Sequence, residues 1–166
     1  MAKIYHAFNG AGPTTAAPVA VTTGTVVKTM IQWSTSASSE ARFVEWWWEG
    51  SASAAATPAV VELMFHSTGA ATVTAYAAAT DFKKYEPNQR ASLMTVGTSN
   101  SGYTASSEGT PATALGSITH QIPVTSGSYF QYPLGREPEM AVSTFARIRN
   151  TVTPAVNAIC GGAWEE

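Results

Sequence analysis

Short runs of alternating apolar and polar residues, broken every few positions by Gly, Pro, Ser and Thr, constrain this chain more than any other feature. In Thr25 to Trp33, Val27, Ile31 and Trp33 alternate with Lys28 and Gln32. In Ala59 to His66, Val61, Leu63 and Phe65 oppose Glu62 and His66. A two-residue period puts successive side chains on opposite faces of an extended strand, and none of these runs carries the 3.6-residue period of a helix. The same pattern predicts strands over Lys3 to Phe8, Ala41 to Glu49, Ala71 to Tyr76, Ser117 to Val124, Ser128 to Leu134, Met140 to Arg149 and Val156 to Trp164. Thr80 to Tyr85 allows one helical turn before Pro87.

About eight strands with long connections fit an all-β, two-sheet antiparallel β-sandwich of the jelly-roll kind. The immunoglobulin-like alternative lacks its Cys-Trp-Cys spacing, because the chain holds one cysteine. That residue, Cys160, excludes an internal disulfide and sits in an apolar setting that predicts a buried thiol. The 166 residues suffice for one core. Residues 1–24 read as an N-terminal extended arm with a first short strand, and residues 25–166 as the sandwich domain. Within it, Gly97 to Gly116 is dominated by Ser, Thr, Gly and Ala and reads as a long loop.

Charged residues make up 12% of the chain, about half the usual share, while Ala, Thr and Ser supply about two-fifths. A surface with so few long charged side chains suits a subunit covered by neighbours. A net charge of −2 with scattered Lys and Arg argues against nucleic-acid and anionic-membrane partners, which need a basic stripe. No apolar run is long enough to span a bilayer or to form a signal peptide, so synthesis in a cytoplasm is expected.

Glu45-Trp46-Trp47-Trp48-Glu49 is the most unusual local feature. Strict alternation aligns Trp46 and Trp48 with Arg42 and Val44 on one face, and Trp47 with Phe43, Glu45 and Glu49 on the other. Three packings stay open: all three indoles in the core, Trp47 at a protein interface, or Trp47 as a sugar-stacking platform beside the carboxylates. Glu45 and Glu49 would lie about 13 Å apart on an extended strand, beyond the spacing of a glycosidase pair. His6, His66 and His120 show no paired ligand spacing and read as surface or edge residues; no metal or cofactor is expected, nor a catalytic site. Arg136 lies in the turn Tyr132 to Glu139, where Glu137 or Glu139 would pair with it. Arg147 and Arg149 alternate on one strand face and would meet Glu165 and Glu166 or a neighbouring subunit. Trp47, Glu45, Glu49, Arg136, Arg147 and Arg149 are thus the candidate interface residues.

Several segments together resemble a known family: Val44-Glu45-Trp46, Ala54 to Leu63, Ala70 to Ala75, Gly102 to Thr110, Pro133 to Glu137 and Trp164-Glu165-Glu166. They are similar to virion structural proteins of tailed bacteriophages, in particular head decoration or minor capsid proteins. The resemblance implies a non-enzymatic cement protein on the outer surface of the assembled major-capsid shell, often a homotrimer, located on the capsid exterior. A tail or baseplate component and a carbohydrate-binding module are the alternatives.

Overall fold

The computed structural model describes residues 3–12, 17–51, 57–110 and 114–166. Parts of the N-terminal arm (13–16) and of the long loop (111–113) lie outside the described residues. Among the described residues, thirteen strands form in chain order: β1 (Ile4–Phe8), β2 (Val21–Thr22), β3 (Lys28–Ser34), β4 (Ala41–Gly50), β5 (Ala59–His66), β6 (Thr72–Ala75), β7 (Lys83–Lys84), β8 (Gly102–Ser107), β9 (Ala114–Ile122), β10 (Gly127–Gln131), β11 (Glu139–Met140), β12 (Phe145–Thr151) and β13 (Asn157–Glu165). The helical turn before Pro87 is a short 3-10 segment, Ala79–Asp81.

Two antiparallel sheets stack as a sandwich. One runs β10-β4-β13-β1-β7, with β11 beside β4 and β2 beside β13; the other runs β6-β8-β3-β12-β5-β9. Within them, β1-β13-β4-β10 faces β3-β12-β5-β9, and the chain crosses between sheets at β2→β3→β4→β5, β6→β7→β8, β9→β10 and β11→β12→β13. That order is a jelly roll. β1 lies inside its sheet between β13 and β7.

The space between the sheets is filled mainly by aromatic side chains. Trp33, Phe43, Trp46, Trp48 and Trp164 are all at most 1% exposed. Trp33 meets Phe43 edge-on at 5.0 Å, and Phe82 meets Trp164 at 5.0 Å in the same way. Cys160 is fully buried among them, and burial pushes its thiol pKa up.

The Gly97 to Gly116 stretch is not a structureless loop. It contributes β8, which pairs with β3 and β6, and the start of β9. Its contacts are mostly backbone ones: the Ser34 amide donates to Ser101 Oγ at 2.8 Å, and Gly102 lies too close to the Thr74 carbonyl for any Cβ. Only Tyr103 is a large apolar residue in β8, so no alternation announces the strand.

Residues beyond β8 help roof one end of the outer face of the β3-β12-β5 sheet. Gln32 is fully buried there, donating to the Ala71 and Asn100 carbonyls at 3.0 and 2.8 Å and accepting the Ala71 amide. The Glu108 carboxylate takes the Thr29 amide and hydroxyl at 2.5 and 2.6 Å, and its carbonyl accepts Arg147 Nη1 at 2.7 Å. Gly109, at φ 60°, comes so close to the Gly69 and Ala70 carbonyls that a side chain would not fit.

His66, expected at a surface or an edge, is fully buried and stacks on Phe145 at 5.3 Å. Its Nδ1–H donates to the Thr68 carbonyl, leaving buried Nε2 as the protonation site with no partner among the described residues. Desolvation lowers its pKa first; the hydrogen bond to the Thr68 carbonyl opposes the shift, and Arg147 and Arg149 nearby reinforce it. A base with a lowered folded pKa binds fewer protons folded than unfolded, so its stability contribution is full above the unfolded value of about 6.5. Stability should therefore fall as pH drops below about 6.5, levelling off below the folded pKa. Urea unfolding across that range checks this, and His66→Gln should flatten the profile; an unchanged slope would contradict it.

Candidate functional site

The outer face of the β1-β13-β4-β10 sheet carries the candidate site, and a bulge in β4 determines which side chains reach it. Glu45 lies opposite Ala163 and Phe43 opposite Trp164, leaving Val44 as the extra residue. An inserted residue reverses the alternation beyond it. Phe43 and Ala41 therefore point into the core with Trp46 and Trp48, while Arg42 is exposed. Strict alternation placed Phe43 beside Trp47 and Arg42 beside Trp46; the bulge at Val44 corrects both. Glu45, Trp47 and Glu49 do share the outer face.

Trp47 is half-buried because it lies against Gly161 of β13, directly across the pair. The next residue, Gly162, seats the Phe43 ring on the inner face. Two adjacent glycines thus leave room for one aromatic ring on each side of the sheet. This device escaped the sequence reading, although Gly161-Gly162 inside a strand signals a close approach.

Glu45 is only 7% exposed although it faces outward. Tyr85 donates its hydroxyl to Glu45 Oε1 at 2.7 Å, and Tyr129 donates to Oε2 across a short contact. Tyr129 reaches it from β10, where it pairs with Trp47, and Tyr85 from just beyond β7. His6 of β1 meets the Tyr85 ring edge-on at 5.2 Å. Desolvation lowers the His6 pKa, with Glu45 opposing and Lys83 reinforcing the shift. The result is an aromatic face of His6, Tyr85, Tyr129 and Trp47 beside a shielded carboxylate. Tyr85 and Tyr129 keep 55% and 60% of their surface exposed. Beside Trp47, an open depression of about 260 Å³ is lined by Trp48, Glu49, Gly127, Ser128 and Tyr129.

The two tyrosines report on this carboxylate. Tyr129 is pushed up to about 12, first by its hydrogen bond to Glu45, whereas burial is the first cause of the upward shift at Tyr85. In Glu45→Gln, Tyr129 should therefore fall most of the way to about 10, while burial, which the substitution leaves in place, keeps Tyr85 above that value. Ultraviolet titration of the phenolates in single-tyrosine-to-phenylalanine backgrounds checks this; a Tyr129 left near 12, or a Tyr85 at its ordinary value, would contradict it.

The arginines sit elsewhere. Arg147 is completely buried, so it is no exposed contact, and its carboxylate neighbour is Glu108 at 3.8 Å rather than Glu165 or Glu166. Arg149 pairs with Glu62 of β5. Glu166 binds Arg90 at 3.2 Å and also accepts Ser92, the Leu93 amide and Trp164. Glu139 pairs with Arg42 at 2.9 Å, not with Arg136. Arg136 is exposed on its turn and forms no ion pair among the described residues. Among the described residues, no group of three or more His, Cys, Asp or Glu converges as a metal site.

Comparison with known proteins finds no family model, curated protein or solved structure that matches the chain.

Proposed function

We propose that the chain is a non-enzymatic decoration protein of a bacteriophage capsid, acting as a homotrimer that binds the major-capsid protein on the exterior of the assembled shell and stabilises it. The observation carrying this reading is the contrast between the two outer faces. One end of the β3-β12-β5 face is roofed by the chain's own segments, whereas the β1-β13-β4-β10 face leaves Trp47, Tyr85 and Tyr129 open to a partner. Clustered aromatics with polar tips are what protein interfaces concentrate. The low charge and small-residue surface agree with a chain covered in an assembly. A ligand of the assembled lattice stabilises it by mass action, and many modest contacts add up over a shell.

The test is co-sedimentation of the purified protein with undecorated heads. Wild type should pellet with the heads. Tyr85→Ala/Tyr129→Ala, which alters two side chains that are more than half exposed, should weaken binding at least about tenfold while remaining folded. A folded wild-type protein that stays in the supernatant overturns the reading. Electron microscopy of particles separates a head location from a tail or baseplate one. The depression beside Trp47 favours a carbohydrate-binding module as a second reading. A glycan array with Trp47→Ala as control tests it, and no signal above background removes it.

A further inference from the structure

The edges of the two sheets are unequally protected. β7 closes one sheet with two residues, both lysines. β6 closes the other with four residues and two register shifts against β8. β10 has five residues, followed at once by Tyr132 and Pro133. Shortness, lysines and irregular pairing are the usual means of blunting an edge. β9 has little of this. It runs for nine residues and contains no Lys, Arg, Asp, Glu or Pro, and its one register shift against β5 lies at its first end, so Gly116 to Ile122 pair without interruption. Among the described residues, no hydrogen bond reaches it from any other element. Leu115, Gly116, Ser117, Thr119 and Gln121 are exposed, and nothing stands within 4 Å of where a Gly116 side chain would be. Its outward amides and carbonyls form an open row.

We infer that β9 is the docking edge for β9 of a second copy of this chain, in antiparallel register across a two-fold axis at Ile118. The sequence of the strand is complementary to itself in that register. Ile118 meets its own copy, Gly116 makes room for His120, and Ser117 lies against Thr119, all within the regular part of the strand. No charge opposes a like charge. The Cβ-less Gly116 receives the ring that already packs on Trp46 and Phe130 at 5.5 and 5.8 Å. The half-buried Ile118 and His120, at the flank of the sandwich, gain cover. An isologous contact of this kind joins two copies, so each β9 edge is consumed by the pairing. Two six-stranded sheets become one continuous sheet. The pairing needs neither a shell nor the aromatic face, so it stands apart from the function proposed above.

Sedimentation of the purified chain over a wide concentration range tests this through the step that doubles its mass. Ser117→Lys/Thr119→Lys sets lysine against lysine twice across the axis, on side chains that are exposed in the single copy. The doubling should weaken at least about tenfold. Ser117→Glu/Thr119→Glu should weaken it as well, and an equal mixture of the two variants should restore it as a heterodimer. Circular dichroism and melting temperature confirm that both variants fold. A wild-type protein that shows no doubling step overturns the inference, as does doubling untouched by the lysines or a mixture no tighter than its components.

Discussion

Gly161→Ala is expected to destabilise the protein by about 3 kcal/mol, although it adds a single methyl group. The new Cβ would collide with both the Ala7 carbonyl of β1 and the Trp47 indole. The indole has somewhere to go, but the carbonyl belongs to the β1–β13 ladder and moves only with the strand. Trp47→Ala should therefore rescue Gly161→Ala only in part. At Gly162 the closest atoms are those of the Phe43 ring, a side chain, so Phe43→Leu should rescue Gly162→Ala more fully. Gly116→Ala, which meets nothing within 4 Å, serves as the control and should be close to neutral. Urea unfolding midpoints at constant m-value measure all of these. If Gly161→Ala matches the Gly116→Ala control, the seating of Trp47 on β13 is wrong.

The second large effect is an asymmetry between Glu108 and Arg147. Glu108→Ala should cost about 2 kcal/mol or more, because it removes the carboxylate beside a guanidinium with no exposed surface and the acceptor for Thr29. Arg147→Met should stay within about 1 kcal/mol of wild type. Removing a buried charge along with its need for a partner is often nearly neutral, and the site already holds the Met64 sulfur. Arg147 Nε has no partner among the described residues, so the arginine is held imperfectly as it stands. The same variants separate two roles for the guanidinium. If it mainly anchors residues 108–109 through its bond to the Glu108 carbonyl, Arg147→Met will expose the amides of Gln32 and Thr29 to hydrogen exchange and lose as much stability as Glu108→Ala.

The strands were legible because burial on one face imprints itself on sequence as alternation. β3, β4, β5 and β13 were placed within three residues of their observed limits, whereas the run Met140 to Arg149 proved to span the end of β11 and most of β12, which lie in different sheets. β8 left no such imprint, since it is held by backbone contacts to β3 and β6 and by Ser101 rather than by an apolar face. At the candidate site, the outward direction of Glu45, Trp47 and Glu49 followed from alternation, but that of Phe43 and Arg42 did not. The bulge at Val44 arises from the register of β4 against β13, a strand more than a hundred residues away. Tyr85 and Tyr129 were missed for a similar reason. Each is an ordinary tyrosine in sequence, and only the arrangement β10-β4-β13-β1-β7 brings both hydroxyls to one carboxylate.

By itself, the sequence determined that the chain is all-β, that its apolar faces pair as a sandwich, and that Trp47 points away from Trp46 and Trp48. Those are properties of neighbours along the chain, where a two-residue period suffices. The tertiary structure decided which outer face is roofed and which is open, why Arg147 is buried while Tyr129 is not, and why Gly161 and Gly162 must remain glycines. Each of these depends on what a distant strand or segment brings to within a few ångströms, and a residue's type does not encode the partner that covers it.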